Sequence, residues 1–517
     1  MHMIRGTFLT VVAAVATLTS TSVQAKWVEA KSQHFDIYGD VSQSEATGYA
    51  IQLERFDHLL RGIANLPATS ESENDRVTVY LVSLDMVQSL AKSLNVAGFY
   101  NSDIQETLAV MPLSLPDYFE VGPFHVMFHE WTHHIFLSSA DATYPSWVEE
   151  GLAEFFGTTT FRDDGSIVIG APPQMRGWAL HRQVQMSLAD LLDSDGKKLD
   201  EQDMEDKYAL GWLVTHYLLL GHQRPKQYDA YLKLVASGVP SLEAGRQAFG
   251  DLRKLDGELE RYNVTGRFPS YALPATFSLQ PPQVRVLNAC EAKFMPTRIR
   301  SAVGVDEKTA PALVGPARAA AADCSGDSFV QRALAEVEFD AKNNKESMAA
   351  ADRALAADPS NLMAMVYKGR VFARQSQWAD ARTWFIKANH LKPNYALPLV
   401  LYYDTFMRAG VKPPETAVNG LMRAIVLAPE SSDLRLRVAY ELIEEGDLPL
   451  ARKILAPVAF APHEKADDKE KNKKDDKGND KADNKALEVL RKIDAKAPAN
   501  EVLALATAAK WNEIGKE

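Results

Sequence analysis

The chain has 517 residues, 46% of them hydrophobic, with 68 acidic against 57 basic side chains and a formal net charge of −11. That length calls for two or more domains, and the apolar fraction is ordinary for globular cores. The acidic balance argues against a nucleic-acid partner or an anionic membrane surface.

Residues 1–25 read as a secretory signal peptide. Arg5 precedes an apolar run from Phe8 to Leu18, and Val23-Gln24-Ala25 is a small-x-small cleavage signal. The run is short of the roughly twenty residues a membrane span requires. No cysteine stands at the cleavage site, and no later stretch is long and apolar enough to span. The chain is therefore expected to be exported, periplasmic or secreted, with no transmembrane anchor after cleavage near Ala25.

Residues 26–275 are read as one α+β domain with a small mixed sheet at its start. His34 to Tyr38 alternates in character, as a half-buried strand does. Between 43 and 64, Leu53, Phe56, Leu59, Leu60 and Ile63 recur at helical spacing. Val77 to Val82 and Thr107 to Met111 are β-branched, apolar runs that read as strands.

A helix is predicted from Pro123 to Leu137. Proline near the first helical position sacrifices no hydrogen bond, and apolar residues on several faces make this a buried helix. It carries His129-Glu130-Trp131-Thr132-His133. Residues i and i+4 share a helix face, so two imidazoles can bind one Zn2+ with a glutamate beside the first to take a proton from water. Buried histidines need polar partners, and a metal with a water supplies them. His125 reads as a core residue or a support for the site, and His134, rotated about 100° from His133, faces elsewhere.

Trp147-Val148-Glu149-Glu150-Gly151-Leu152-Ala153-Glu154 offers a third ligand. Catalytic zinc keeps three protein ligands and an open position. Glu150 and Glu154 fall one turn apart on one face, so Glu150 is assigned to the metal and Glu154 to orienting a ligand histidine. Glu149 is the rival for either role. Phe136 and Ser139 stand where a metzincin needs glycine and histidine, which excludes that class.

Residues 129–154 resemble a gluzincin metallopeptidase, and Trp147 to Ala153 resemble the W-x-N-E-G-x-A segment of aminopeptidase N-like enzymes. The resemblance implies His129, His133 and Glu150 as ligands and Glu130 as general base. Glu149 replaces the usual Asn, and the sixteen residues between His133 and Glu150 are slightly fewer than in those enzymes. No G-x-M-E-N exopeptidase signature precedes the motif, so aminopeptidase specificity is not carried over. Over roughly residues 27–270 the chain more closely resembles exported bacterial peptidase MA-like proteins. Gluzincins commonly use a Tyr or His on a later helix for the oxyanion; Tyr208 is the candidate here, with Tyr217 and His216 as alternatives. In gluzincins a strand at the place of 107–111 forms the sheet edge along which a peptide aligns, and the same is expected here.

Thr158 to Ile169 reads as a hairpin turning at Asp163-Asp164-Gly165, and residues 178–270 as a helical lobe closing the cleft. Residues 276–327 are taken as a linker or capping segment. Cys290 and Cys324, the only two cysteines, could pair in an oxidising compartment; the alternative is two buried thiols.

From 328 to 463 the chain changes character. Pro359, Pro393 and Pro429 recur at near-constant spacing. Gly369, Phe372, Ala381, Phe385, Ala388 and Pro393 fall on tetratricopeptide-repeat positions. Ala335 and Ala354 mark the preceding unit, Ala417 and Ala424 the next, and Ala439, Ala451 and Leu455 a weaker fourth. An all-α solenoid follows, offering a surface for substrate or a partner protein. Residues 464–485 form a charged run without large apolar residues, expected to be a disordered insertion. Residues 486–517 resume helical periodicity as a cap.

The leading expectation is an exported zinc-dependent metallopeptidase with a repeat domain that binds a peptide, protein substrate or partner. A non-catalytic repeat scaffold with a structural metal domain is the alternative, and a metal hydrolase of a non-peptide bond a third reading. The intact Glu130 favours the enzyme.

Overall fold

The structure, a computed structural model, describes residues 27–67, 72–94, 96–116, 122–137, 144–162, 164–181, 184–197, 199–221, 224–274, 279–460 and 484–511. The expected signal peptide, the segment following Leu137 and nearly all of the charged run lie outside these residues.

In chain order, the N-terminal half begins with β1 (Val28–Lys31), β2 (Phe35–Gly39), α1 (Gln43–Ile63), β3 (Val77–Val82) and α2 (Leu84–Ala91). It continues with β4 (Phe99–Asn101), β5 (Thr107–Pro112), α3 (Pro123–Leu137), α4 (Ser146–Gly157), β6 (Thr160–Phe161) and β7 (Ile167–Ile169). A helical stretch follows: α5 (Gly177–His181), α6 (Leu188–Leu192), α7 (Glu201–Leu220), α8 (Gln227–Ala236), α9 (Ser241–Phe249) and α10 (Leu252–Thr265). Two short strands, β8 (Tyr271–Leu273) and β9 (Gln283–Val286), complete the sheets.

The main sheet has six strands in the order β4-β5-β3-β2-β1-β9. The strands β2, β3 and β5 run parallel, while β4, β1 and β9 are antiparallel to their neighbours. The outer strand β9 comes from residues that the sequence suggests are linker. A correction concerns β5: it is not a sheet edge, because β4 pairs along it with Tyr100 opposite Ala109. The apolar alternation of a strand reports which faces are buried, not whether a neighbour is hydrogen-bonded beside it. A smaller antiparallel sheet joins β6, β7 and β8.

Helix α1 starts at a capping box in which the Ser42 hydroxyl accepts from the Glu45 amide and the Glu45 carboxylate accepts from the Ser42 amide. Its buried stripe, Leu53, Phe56 and Leu60, packs into the core that the sheet and α3 share. Phe56 stacks on Phe128 with centroids 4.0 Å apart, and Phe35 of β2 meets Trp131 at 4.8 Å. These contacts seat α3 against α1 and the sheet. Helix α4 is buried along its whole length and is sandwiched between α3 and α7.

The C-terminal half is helical: α11 (Ala289–Ala302), α12 (Ala310–Ala321), α13 (Ser328–Asp340), α14 (Asn344–Ala357), α15 (Leu362–Arg374), α16 (Trp378–Leu391) and α17 (Ala396–Arg408). Next come α18 (Glu415–Leu427), α19 (Ser432–Glu445), α20 (Leu448–Ala459), α21 (Lys485–Asp494) and α22 (Ala499–Ala508). Consecutive helices pair and stack in the manner of a tetratricopeptide-like solenoid. Gly369 shows why small residues recur at the crossings. A Cβ there would lie 2.4 Å from the Phe385 ring, so the α15–α16 approach needs glycine. A disulfide joins Cys290 at the start of α11 to Cys324 after α12. Among the described residues, no helix is long and apolar enough to cross a membrane.

Candidate metal centre

One turn of α3 separates His129 from His133, and helical geometry alone puts both imidazoles on one face. Their Nε2 atoms are 3.3 Å apart. Glu150 on α4 brings its Oε2 to 3.4 Å from His129 Nε2 and 3.6 Å from His133 Nε2. The two helices therefore place three donor atoms at the corners of a nearly equilateral triangle. A tetrahedral zinc with bonds of about 2.0–2.1 Å has ligand–ligand edges of about 3.3–3.4 Å. The donor set and its spacing thus fit zinc.

The electrostatics point the same way. Burial pushes the His129 imidazole down, but its bond to Glu150 and the charges of Glu154, Glu150 and Glu130 outweigh that and hold it up to about 9. Concentrated negative charge around an imidazole pair is the field a divalent cation requires.

Behind the triangle, His129 Nδ1 faces Glu154 Oε1 at 3.7 Å. This is within ion-pair range but longer than a hydrogen bond. The same oxygen accepts from Arg176 Nε and Nη2 at 2.9 and 2.7 Å. Arg176 lies just before α5, and its guanidinium sits 4.4 Å over the Tyr208 ring. Tyr208, on α7, neighbours Glu150, and burial followed by the Glu150 charge raises its phenol above the usual range while Arg176 opposes the shift. Arg176 is the residue the sequence reading missed. Its sole sequence signal was indirect: a buried Glu154 needs a cation.

The other candidates separate cleanly. Glu149 is turned from the triangle, and neither of its oxygens has a hydrogen-bond partner among the described residues. Burial, then the charges of Glu150 and Asp195, push its carboxyl well above the usual range. His216 is used elsewhere: its Nε2 lies 3.0 Å from the Gly170 carbonyl and 3.1 Å from that of Pro269, with Nδ1 3.0 Å from the Tyr262 hydroxyl. Tyr217 donates to Glu258 at 3.1 Å. His134 meets the Tyr100 hydroxyl of β4 at 2.6 Å through Nδ1 and stacks on Trp131. Glu130 stands half-buried between the two histidines in sequence, and its charge acts on His129.

His125 lies one turn before His129, and burial pushes it down to about 4, so it is neutral at physiological pH. It lines a cleft of about 630 Å³ with Phe124, Phe128, Phe161 and Gly157. A Cβ on Gly157 would stand 3.5 Å from the His129 Cβ, which puts this cleft beside His129.

A second buried group, His34, Glu54 and Asp57, also has ligand atoms close together. Here His34 Nδ1 contacts Glu54 at 2.8 Å and Asp57 at 3.1 Å, and Arg61 Nε donates to both Asp57 oxygens at 3.0 and 2.9 Å. A guanidinium already occupies the cation position, so this is an internal ion network. Trp131 Nε1 donates to Asp57 at 3.2 Å, tying the network to α3 between His129 and His133.

Comparison with known proteins bears on the same stretch. A family model described as "Protein of unknown function (DUF1570)" matches residues 124–240, from the first turn of α3 to the end of the loop after α8. It is not a gluzincin model, so that resemblance is carried by the motif residues. None of the curated proteins compared with the chain matches it. Among solved structures, a chain described as "Functional Characterization of Pseudomonas Aeruginosa pilF" is similar at 14% identity, with a TM-score of 0.31. That similarity covers 43% of this chain and 92% of the other.

Proposed function

We propose that the chain is an exported, zinc-dependent peptidase of gluzincin type, joined to a tetratricopeptide-repeat solenoid that binds substrate or a partner. The carrying observation is the triangle of His129 Nε2, His133 Nε2 and Glu150 Oε2, with edges of 3.3, 3.4 and 3.6 Å. These three residues would hold the metal. When bound, zinc lowers the pKa of a water and polarises a substrate carbonyl.

The chain's own residues supply the rest. Glu130 accepts the proton of the attacking water and passes it to the leaving nitrogen. Tyr208, already beside Glu150, presents an O–H to the oxygen that gains negative charge. A tyrosine hydroxyl, which titrates near about 10, keeps that proton at neutral pH. Glu154 and Arg176 hold the far side of the His129 ring. The cleft along His125 and Gly157 offers room for a substrate beside the ligands.

The test uses the full chain and a Glu130→Gln variant, each assayed for metal content and for cleavage of a mixed peptide library near neutral pH. One zinc per chain in both proteins, chelator-sensitive cleavage by the parent and a loss of about 10²–10⁴-fold in the variant support the reading. Absence of stoichiometric metal from the parent protein sinks it.

A further inference from the structure

The helix that carries Glu150 has no side-chain cap of its own; Pro145 precedes it. Its first turn is held from outside instead. The Ser146 amide donates to the Asp195 carboxylate at 3.1 Å, the Ser146 hydroxyl donates to the same oxygen, and Lys207 Nζ donates to Ser146 Oγ at 2.7 Å. A carboxylate facing the free amides of a helix start is stabilising. Next along α4, Trp147 Nε1 donates to the Tyr231 hydroxyl of α8 at 2.8 Å. That hydroxyl lies 2.7 Å from Ser241 Oγ at the start of α9, which donates to the Leu192 carbonyl at 2.6 Å. Ser146 falls one turn before Glu150 on the same helix face. The turn below Glu150 is therefore held by the loop 194–197 and by the facing ends of α8 and α9.

Both supports meet the last helices of the repeat half. A Cβ on Gly196 would lie 2.5 Å from Leu487 Cδ2, so the loop 194–197 touches α21 directly. Leu487 is buried, and Arg491, one turn on and on the same face, donates Nη2 to the Asp195 carbonyl at 3.4 Å. Burial pushes the Asp195 carboxyl up; its bond with Ser146 and then the charges of Lys207 and Arg491 oppose that. The connection from α8 to α9 meets α20 through Arg452. A Cβ on Gly238 would lie 3.2 Å from Arg452 Nη2, and Arg452 pairs with Asp494 of α21. The repeat half supplies none of the three donors, yet it closes over the two supports that fix α4.

We propose that α20 and α21 are an internal clamp on the metal centre: their docking on these two supports fixes α4, so that docking and metal affinity rise and fall together. The proposal rests on the reading of His129, His133 and Glu150 as zinc ligands. A donor triangle drawn from two helices opens as one helix shifts on the other, and a tetrahedral ion tolerates little change in its edges. Coupling of this kind is reciprocal, so zinc in turn favours the docked α21 by the same factor. Leu487 and Arg491 are positioning residues here, acting through Gly196 and Asp195 on the first turn of α4.

The test measures zinc affinity by chelator competition, and amide hydrogen exchange across α4 and α21, on the full chain. Arg491→Glu removes the bond to the Asp195 carbonyl at an exposed position. Its zinc affinity should fall about fivefold or more, with faster exchange in both helices. Added negative charge by itself attracts a cation, so a loss singles out position rather than charge. Arg491→Lys, which keeps the donor, should restore most of the affinity. Lys492→Glu makes the same charge change at the neighbouring residue, which faces Glu501 of α22, and should leave zinc affinity unchanged. Arg452→Gln loosens the other support and should weaken zinc binding too, which covers a failure of Arg491→Glu to fold. In the parent chain zinc should slow exchange across α21 by about fivefold or more. Unchanged zinc affinity in both Arg491→Glu and Arg452→Gln overturns the proposal, as does an equal loss in Lys492→Glu. A parent chain that binds no zinc sinks the metal reading; the hold on α4 is then upheld by faster α4 exchange in Arg491→Glu and overturned by unchanged exchange.

Discussion

Gly151 on α4 and Gly211 on α7 bring two helix backbones into direct contact next to Glu150. A Cβ on Gly151 would lie 2.6 Å from the Gly211 carbonyl oxygen and 2.5 Å from Thr215 Oγ1, and one on Gly211 would lie 3.0 Å from the Trp147 carbonyl. The obstruction is backbone, which cannot swing aside as a side chain can. Gly151→Ala should therefore force α4 from α7, costing about 1–3 kcal/mol of stability. Because Glu150 and Tyr208 sit on these two helices, zinc affinity should fall as well. Calorimetric melting with and without metal checks this; an unchanged melting temperature and zinc affinity would refute the close-contact account.

Glu154 touches no metal in this reading, yet it faces His129 Nδ1 and anchors Arg176. Glu154→Gln should lower zinc affinity by about 10–100-fold, the range found when a partner of a ligand histidine is removed. Competition with a chromophoric chelator measures it. The fold should survive, since the glutamine keeps the packing.

Asp57 is 1% exposed and accepts from Arg61 and Trp131. Asp57→Ala would leave the Arg61 guanidinium buried, with Asp75 at 3.7 Å as its remaining carboxylate among the described residues. A loss of about 3 kcal/mol is expected. Trp131→Phe, which deletes one hydrogen bond and keeps an aromatic ring, should cost about 1 kcal/mol. Urea unfolding of both variants gives the comparison, and a larger effect for Trp131→Phe would contradict the ion-network account.

Glu430 lies buried just before α19, near the point where Ser72 of the N-terminal half bonds the Leu427 carbonyl. Burial, then the charge of Asp75, outweigh Arg435 and its own backbone bond and raise its carboxyl to about 8. An unfolded glutamate titrates near about 4.3. The folded state therefore binds the proton more tightly, and this contribution to stability is full below the unfolded value and lost as pH rises through about 8. Glu430→Gln should leave the melting temperature unchanged near pH 4 and raise it by a few degrees at pH 8.5. A constant difference across that range would show that Glu430 does not titrate there.

Local periodicity carries much of this molecule. The i,i+4 spacing of His129 and His133, the β-branched runs at 77–82 and 107–111, and the proline and small-residue phasing after residue 328 are all properties of short windows. A helix or strand imposes them without reference to the rest of the chain. The sequence by itself therefore determined an α+β start, a helix bearing two imidazoles on one face, and a helical C-terminal half. Tertiary structure decided what those windows meet. It turned Glu150 rather than Glu149 toward the imidazoles, because α4 is held between α3 and α7 by contacts no periodicity records. It placed Arg176 against Glu154, covered β5 with β4, added β9 to the sheet from residues that read as linker, and laid Gln105 against Arg370, 265 residues later. Such contacts depend on how whole elements dock, and docking is set by the shape and charge of surfaces that form only once the chain has folded.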